Sequence, residues 1–158
     1  PKRLIERQLA KFKTAFYDQH KGAFKKRSLH EIVVMASMLE REEPKPVNRP
    51  LVAGILWKRI QHGWNLGVDA TSRYELKNWN NRRAFLKKLR DPSHIYNTRL
   101  RKGLPPTAIG NPSLPSLKAA LAPKSSPYWY YLHDSQKALH MAKDAKGHEA
   151  NRRRYNVY

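Results

Sequence analysis

Ser28-Leu-His-Glu-Ile-Val-Val-Met-Ala-Ser-Met-Leu-Glu-Arg-Glu-Glu43 is the most apolar segment of this chain and ends in its densest cluster of acids. Ser28 with Glu31 three residues later has the pattern of a capping box, so a helix is expected to start there, and Pro44 and Pro46 are expected to end it. Ile32, Val33, Val34, Met35, Ala36, Met38 and Leu39 leave almost no polar face, which predicts a helix buried on most sides. Glu40 then sits on the last turn of a core helix. The negative end of the helix dipole, the like charges of Glu42 and Glu43 and the apolar neighbours all disfavour its ionised form, with Arg41 opposing, so its pKa is expected to rise. A carboxylic acid that keeps its proton near neutral pH is what protonation of a leaving-group oxygen requires, as in glycoside cleavage. Val33, Ala36, Ser37 and Glu40 share one side of the helical wheel, and two of them are small enough to leave room beside the carboxyl. The plain alternative is a solvated helix end.

Around this segment, 158 residues with 40% hydrophobic content suit one domain with its own core. Thirty-two Lys and Arg against twelve Asp and Glu give a net charge of +20. That balance points to an anionic partner: nucleic acid, a membrane surface or an acidic polymer such as cell-wall glycan. The absence of cysteine excludes disulfides and thiol chemistry. No apolar run approaches the roughly 20 residues needed to span a bilayer.

Leu4, Ile5, Leu9, Phe12 and Phe16 predict an amphipathic helix over residues 2–19, read as scaffold. Leu51, Val52, Ile55, Leu56 and Ile60 mark a further helix closed by Gly63. Asn65-Leu-Gly-Val-Asp-Ala-Thr71 changes period and suits a loop or short strand, with Asp69 isolated between small residues. Residues 75–93 read as a surface insertion with a helical piece near Phe85, Leu86 and Leu89. Residues 97–112 hold too many breakers for regular structure. Ser116 can cap a short helix through Leu121, Tyr128-Trp-Tyr-Tyr-Leu132 predicts a strand, Ala138–Ala142 a second, and Asp144 opens a last helix.

The seven histidines show no paired metal-binding spacing, and neither GxxxxGK[ST], GxGxxG nor a serine nucleophile elbow occurs. Acid chemistry remains, or binding of nucleic acid through sixteen aromatic residues set among Lys and Arg.

Several motifs in order then resemble one family. Ala36-Ser-Met-Leu-Glu-Arg-Glu42 is similar to its A-S-[IV]-[IV]-E-[KR]-E, and Arg59-Ile60 with Leu66-Gly-Val-Asp-Ala-Thr71 to an Arg-Leu pair before L-Q-[ST]-D-P-T, without the Gln and Pro. Tyr96-Asn-Thr-Arg99 and Gly103-Leu-Pro-Pro-Thr-Ala-Ile-Gly-Asn-Pro112 resemble Y-N-T-Y-x-x-x-G-L-P-P-x-x-I-x-N-P. Ser116-Leu-Lys-Ala-Ala-Leu-Ala-Pro123, Tyr128-Trp-Tyr-Tyr131, His140 and His148 follow the family downstream. Over residues 28–158 the chain resembles the catalytic domain of the endolytic murein (peptidoglycan) transglycosylases, the YceG-like family.

The resemblance implies an α+β fold in which a buried central helix carries the catalytic Glu and packs with other helices and a small sheet. It implies a single catalytic domain, with residues 1–27 as a lead-in helix and loop. Its activity would be lytic cleavage between N-acetylmuramic acid and N-acetylglucosamine within a strand, leaving 1,6-anhydro ends. Glu40 would be the acid and then the base, with Asp69 positioning the sugar or stabilising its charge. Ser37, Asn97, Thr98, Gly103, Leu104, Pro105, Pro106 and His140 would contact substrate. No cofactor or metal is implied. Peptidoglycan strands are the expected partner, with cell-wall synthesis proteins beside them and nucleic acid not expected. The place of action would be outside the cytoplasmic membrane, tethered by a segment absent from this chain; the family's transmembrane helix and LysM-like module have no counterpart here. A hydrolytic muramidase and a basic nucleic-acid-binding module are the alternatives.

Overall fold

A computed structural model describes residues 1–157. The element order is α1 (Lys2–Phe12), a π turn (Lys13–Tyr17), α2 (Asp18–His20), α3 (Leu29–Glu42), α4 (Arg49–Gln61), α5 (Asp69–Arg73), α6 (Arg82–Leu89), α7 (Leu114–Leu121), β1 (Tyr130–His133), β2 (Leu139–Ala142) and α8 (Ala145–Arg154).

Helix α3 is the centre. Its capping box is formed: the Glu31 N–H donates to Ser28 Oγ at 3.2 Å, and the Ser28 N–H donates back to the Glu31 carboxylate at 2.7 Å. Ile32, Val34, Met35, Ala36, Ser37, Met38 and Leu39 are all buried. Each large side chain in that stripe contributes about 1.5–3 kcal/mol by leaving water. Helices α7 and α4 cover it, and the Trp57 indole N–H of α4 donates to the Ala120 carbonyl of α7 at 2.9 Å.

Helix α4 ends as its sequence predicts. Gly63 takes a positive φ of 67°, and the Trp64 N–H reaches back to the Arg59 carbonyl at 2.8 Å, the closure of a Schellman turn. Gly54 on the same helix is required by crowding: a Cβ there would stand 2.0 Å from the Lys124 carbonyl oxygen. That close approach lets the segment after α7 lie on α4.

Strands β1 and β2 pair antiparallel, Tyr130 opposite Ala142 and His133 opposite Leu139, and α8 packs on the hairpin. The result is α+β, helix-rich with a two-stranded sheet.

Three expectations are corrected locally. Residues 65–68 are the loop alternative, with an isolated bridge from Asn65 to Lys102, but Asp69 opens the short helix α5 rather than continuing it. The residue before α7 is Ser113, not Ser116, which lies inside the first turn of the helix and gives its hydroxyl to Glu40. The lead-in stripe is packed only at its far end: Leu4, Ile5 and Leu9 are 61%, 55% and 63% exposed, while Phe16 enters the core and Phe12 packs against it. Among the described residues no helix is long and apolar enough to cross a membrane.

Candidate active site

Three acids leave the end of α3 in different directions, because successive helical residues turn by about 100°. Glu40 points to the start of α7. Its Oε2 accepts from the Ser113 hydroxyl at 2.6 Å, the Ser116 hydroxyl at 2.7 Å and the Ser113 N–H at 3.0 Å. The Arg49 guanidinium spans both carboxylate oxygens at 3.2 and 3.3 Å. Burial acts to raise the Glu40 pKa, but the Ser113 hydroxyl and N–H, the Ser116 hydroxyl and the Arg49 charge together outweigh it and hold the group below its ordinary value. The expected upward shift is therefore reversed. The dipole of α3 loses to the N-terminus of α7, which favours a negative charge at the same spot.

Glu42 is turned about 200° away from Glu40 and meets β1. The Tyr131 hydroxyl donates to its Oε2 at 3.1 Å. Its pKa is raised, first by burial and then by the negative charge of Asp69, while Tyr131, His133 and the Ala70 N–H pull the other way. Glu43, fully buried, takes the third direction and pairs with His133 Nε2 at 2.9 Å. Tyr131 and His133 are two apart on β1 and so share its face, which is why adjacent acids find adjacent partners on one strand.

Beside Glu42 lies an open cleft of about 630 Å³, with Asp69, Arg73, Arg82, Arg99, Tyr131 and His148 in its walls. Asp69 stands at the mouth of α5, its side chain 42% exposed, and accepts from Arg99 Nε at 2.6 Å. Arg99 is in turn raised by that bond. Tyr131 is raised well above the ordinary phenol, by burial first and then by the charge of Glu42, so it stays a donor. The cleft wall thus holds Tyr131, bonded to a carboxyl that resists ionisation, and Asp69, paired with a guanidinium. A carboxyl that resists ionisation, reached through Tyr131, and an Arg99-paired carboxylate in the wall of the same groove can divide the roles of proton donor and charge stabiliser.

The model of the YceG-like family matches residues 1–154. The chain belongs to that family. The match begins before residue 28 and so takes in the lead-in helix as well. The chain is 28% identical to the endolytic murein transglycosylase of Bacillus subtilis over 153 residues, 96% of this chain and 42% of that protein. It superposes on the crystal structure of a YceG-like protein of Listeria monocytogenes with a TM-score of 0.75 at 28% identity, covering 85% of this chain and 44% of that one. The chain therefore spans less than half the length of these YceG-like relatives.

Of the site residues expected from the resemblance to the YceG-like family, Asp69 lines the cleft. The others are placed elsewhere by their bonds. Ser37 is buried, donates to the Val34 carbonyl at 2.7 Å and accepts from the Ile109 N–H at 3.0 Å, pinning the 97–112 loop to α3. Asn97, with no exposed surface, donates to the Lys88 and Leu89 carbonyls at 3.0 and 3.1 Å and so closes the end of α6. Thr98 accepts from the Val68 N–H at 3.0 Å and donates to its carbonyl at 3.2 Å, fixing the turn into Asp69. Gly103, Leu104, Pro105 and Pro106 wall a separate groove of about 200 Å³. His140 bonds Asp134 at 2.8 Å and stacks on Tyr155 at 3.6 Å, holding α8 to the hairpin. The side chains of Ser37, Asn97, Thr98 and His140 each hydrogen-bond within the protein.

Glu42, Tyr131 and Arg99 are not among the expected residues, although Tyr131 and Arg99 line the cleft and Tyr131 bonds Glu42. Glu42 did carry a signal: it follows Met35 by seven, Met38 by four and Leu39 by three, so it continues the buried stripe. The E-[KR]-E segment contains both glutamates, and residue type alone does not separate them.

Proposed function

We propose that this chain is a peptidoglycan lytic transglycosylase in which Glu42, rather than Glu40, is the proton donor. The observation that carries the proposal is a cleft walled by the Arg99-bound Asp69 and by Tyr131, whose hydroxyl holds Glu42, a carboxyl raised by burial. Protonated Glu42 gives its proton to the glycosidic oxygen between N-acetylmuramic acid and N-acetylglucosamine. As that bond breaks, the carboxylate of Asp69 stabilises positive charge on the sugar. Glu42, now ionised, accepts the proton of the muramyl 6-hydroxyl as this oxygen closes the 1,6-anhydro ring. A tethered nucleophile has an effective concentration on the order of 10^5 M or more, so no second nucleophilic carboxylate is needed.

The name borne by the Bacillus subtilis relative supports the same reading. The reaction takes place where the wall is, outside the cytoplasmic membrane, with residues 1–158 acting as one catalytic unit. Digestion of purified sacculi followed by mass spectrometry tests the chemistry. Products ending in 1,6-anhydro sugars are expected. Reducing ends alone would make the enzyme a muramidase, with Asp69 recruited to a hydrolytic route; no digestion, with salt-sensitive gel shifts of nucleic acid, would make the chain a binding module.

A further inference from the structure

Helix α6 is a wall shared by two grooves. Its inner side faces the cleft, and its outer side forms an open groove of about 770 Å³ lined by Arg82, Arg83, Leu86, Lys87, Arg90 and Asp91. Arg82 and Leu86 line both, so the two surfaces are continuous across the helix. The helix is firmly set. Asn81 accepts from the Ala84 N–H at 2.9 Å, and Phe85 is buried beneath the Arg73 guanidinium, 3.6 Å from its ring centre.

The cations on the outer side outnumber the one acid that lines the groove, Asp91, and among the described residues none of them is bridged to it. Arg82, Arg83, Lys87 and Arg90 are exposed and form no ion pair among the described residues. The acid in that groove, Asp91, already accepts from the Ser93 hydroxyl at 2.5 Å and the Ser93 N–H at 2.9 Å. Bond cleavage at the Glu42 and Asp69 end calls for no such row of positive charge, since the sugars carry none.

The negative groups of a peptidoglycan strand are the carboxylates of the short peptides borne by its muramyl residues. A peptide of four or five residues extends roughly 15 Å. A helix with its side chains is about 10–12 Å across. A peptide starting in the cleft is long enough to pass over α6 and reach the outer cations.

We propose that α6 is the docking rim for these peptides, with Arg83, Lys87 and Arg90 pairing with their free carboxylates while the sugars occupy the cleft. This rests on the reading of the cleft as a glycan-cleaving site. It also assigns work to part of the +20 charge that cleavage alone leaves without a role.

The test compares uncrosslinked strands bearing peptides with the same strands stripped of peptides by an amidase. The enzymes are the wild-type chain and a variant with Arg83→Gln, Lys87→Gln and Arg90→Gln together. Wild type is expected to show the lower KM on peptide-bearing strands. The triple variant is expected to raise that KM on the order of tenfold, a few-fold for each exposed pair lost, with kcat kept and stripped strands cleaved as before. Raised salt should mimic the variant on wild type. Equal KM values of wild type on the two substrates, or a variant that changes both or neither, would overturn the rim. DNA binding lost in the variant with unaltered KM on strands would reassign the rim to nucleic acid and also overturn it. Wild type that cleaves neither substrate sinks the glycan-cleaving reading together with the rim, and is distinguishable from a missing preference.

Discussion

Under the proposed mechanism, Glu40→Gln separates a structural carboxylate from a catalytic one. Arg49 is almost fully buried, its side chain 6% exposed against 30% for Glu40, so removal of the negative charge strands a guanidinium in the protein interior. Breaking a buried pair from one side costs about 3–5 kcal/mol. Here the loss is expected at about 2–3 kcal/mol, because Arg49 keeps the Ser113 hydroxyl at 3.1 Å and the Glu43 carbonyl at 2.9 Å, and water reaches Glu40. For a chain of this size that corresponds to a fall in Tm of about 5–10 °C, read by calorimetry or thermal circular dichroism at neutral pH. The sign with pH follows from the lowered pKa of Glu40. Its stabilisation is complete above the unfolded carboxyl value of about 4.3 and disappears as the pH falls through the lower folded value. The gap in Tm between wild type and Glu40→Gln should therefore close in strongly acid solution. Turnover of peptidoglycan by the folded variant should stay within a few-fold of wild type. An unchanged Tm with abolished cleavage would refute the reasoning and return the proton to Glu40.

Other substitutions probe the neighbouring contacts. Tyr131→Phe removes a donor that favours ionised Glu42, so the alkaline limb of the kcat/KM profile should move to higher pH; a limb that stays or moves down would detach Tyr131 from the acid. His133→Leu leaves the fully buried Glu43 with only the Lys45 N–H at 2.7 Å, and is expected to lower stability by about 2–4 kcal/mol in urea titration. Gly54→Ala drives a Cβ into the Lys124 carbonyl and should cost about 1–3 kcal/mol, seen as a lower midpoint with an unchanged slope.

The elements were legible where one physical signal dominates. The capping box at Ser28, the glycine stop at Gly63 and the aromatic strand near Tyr131 depend on a few neighbouring residues, and the chain forms them accordingly. The family's motifs also carried the α+β class. The fates of Glu40 and Glu42 depend on partners far along the chain: Ser113 lies 73 residues from one and Tyr131 lies 89 from the other. Local reasoning assigned Glu40 the dipole of its own helix and had no means of seeing that another helix would start against it. Asn97, Thr98 and Ser37 hold the 97–112 loop and the turn before Asp69 through partners that no local pattern announces: Lys88, Val68 and Ile109.

The proton on Glu42 is the central claim, and one paired digestion tests it. Sacculi are incubated with wild type, Glu42→Gln and Glu40→Gln at equal folded concentration, and the released fragments are read by mass. Glu42→Gln should release nothing while melting no lower than wild type at neutral pH, because it removes a carboxylate that burial disfavours. Glu40→Gln should still release fragments. Digestion by Glu42→Gln at the wild-type rate would contradict the account.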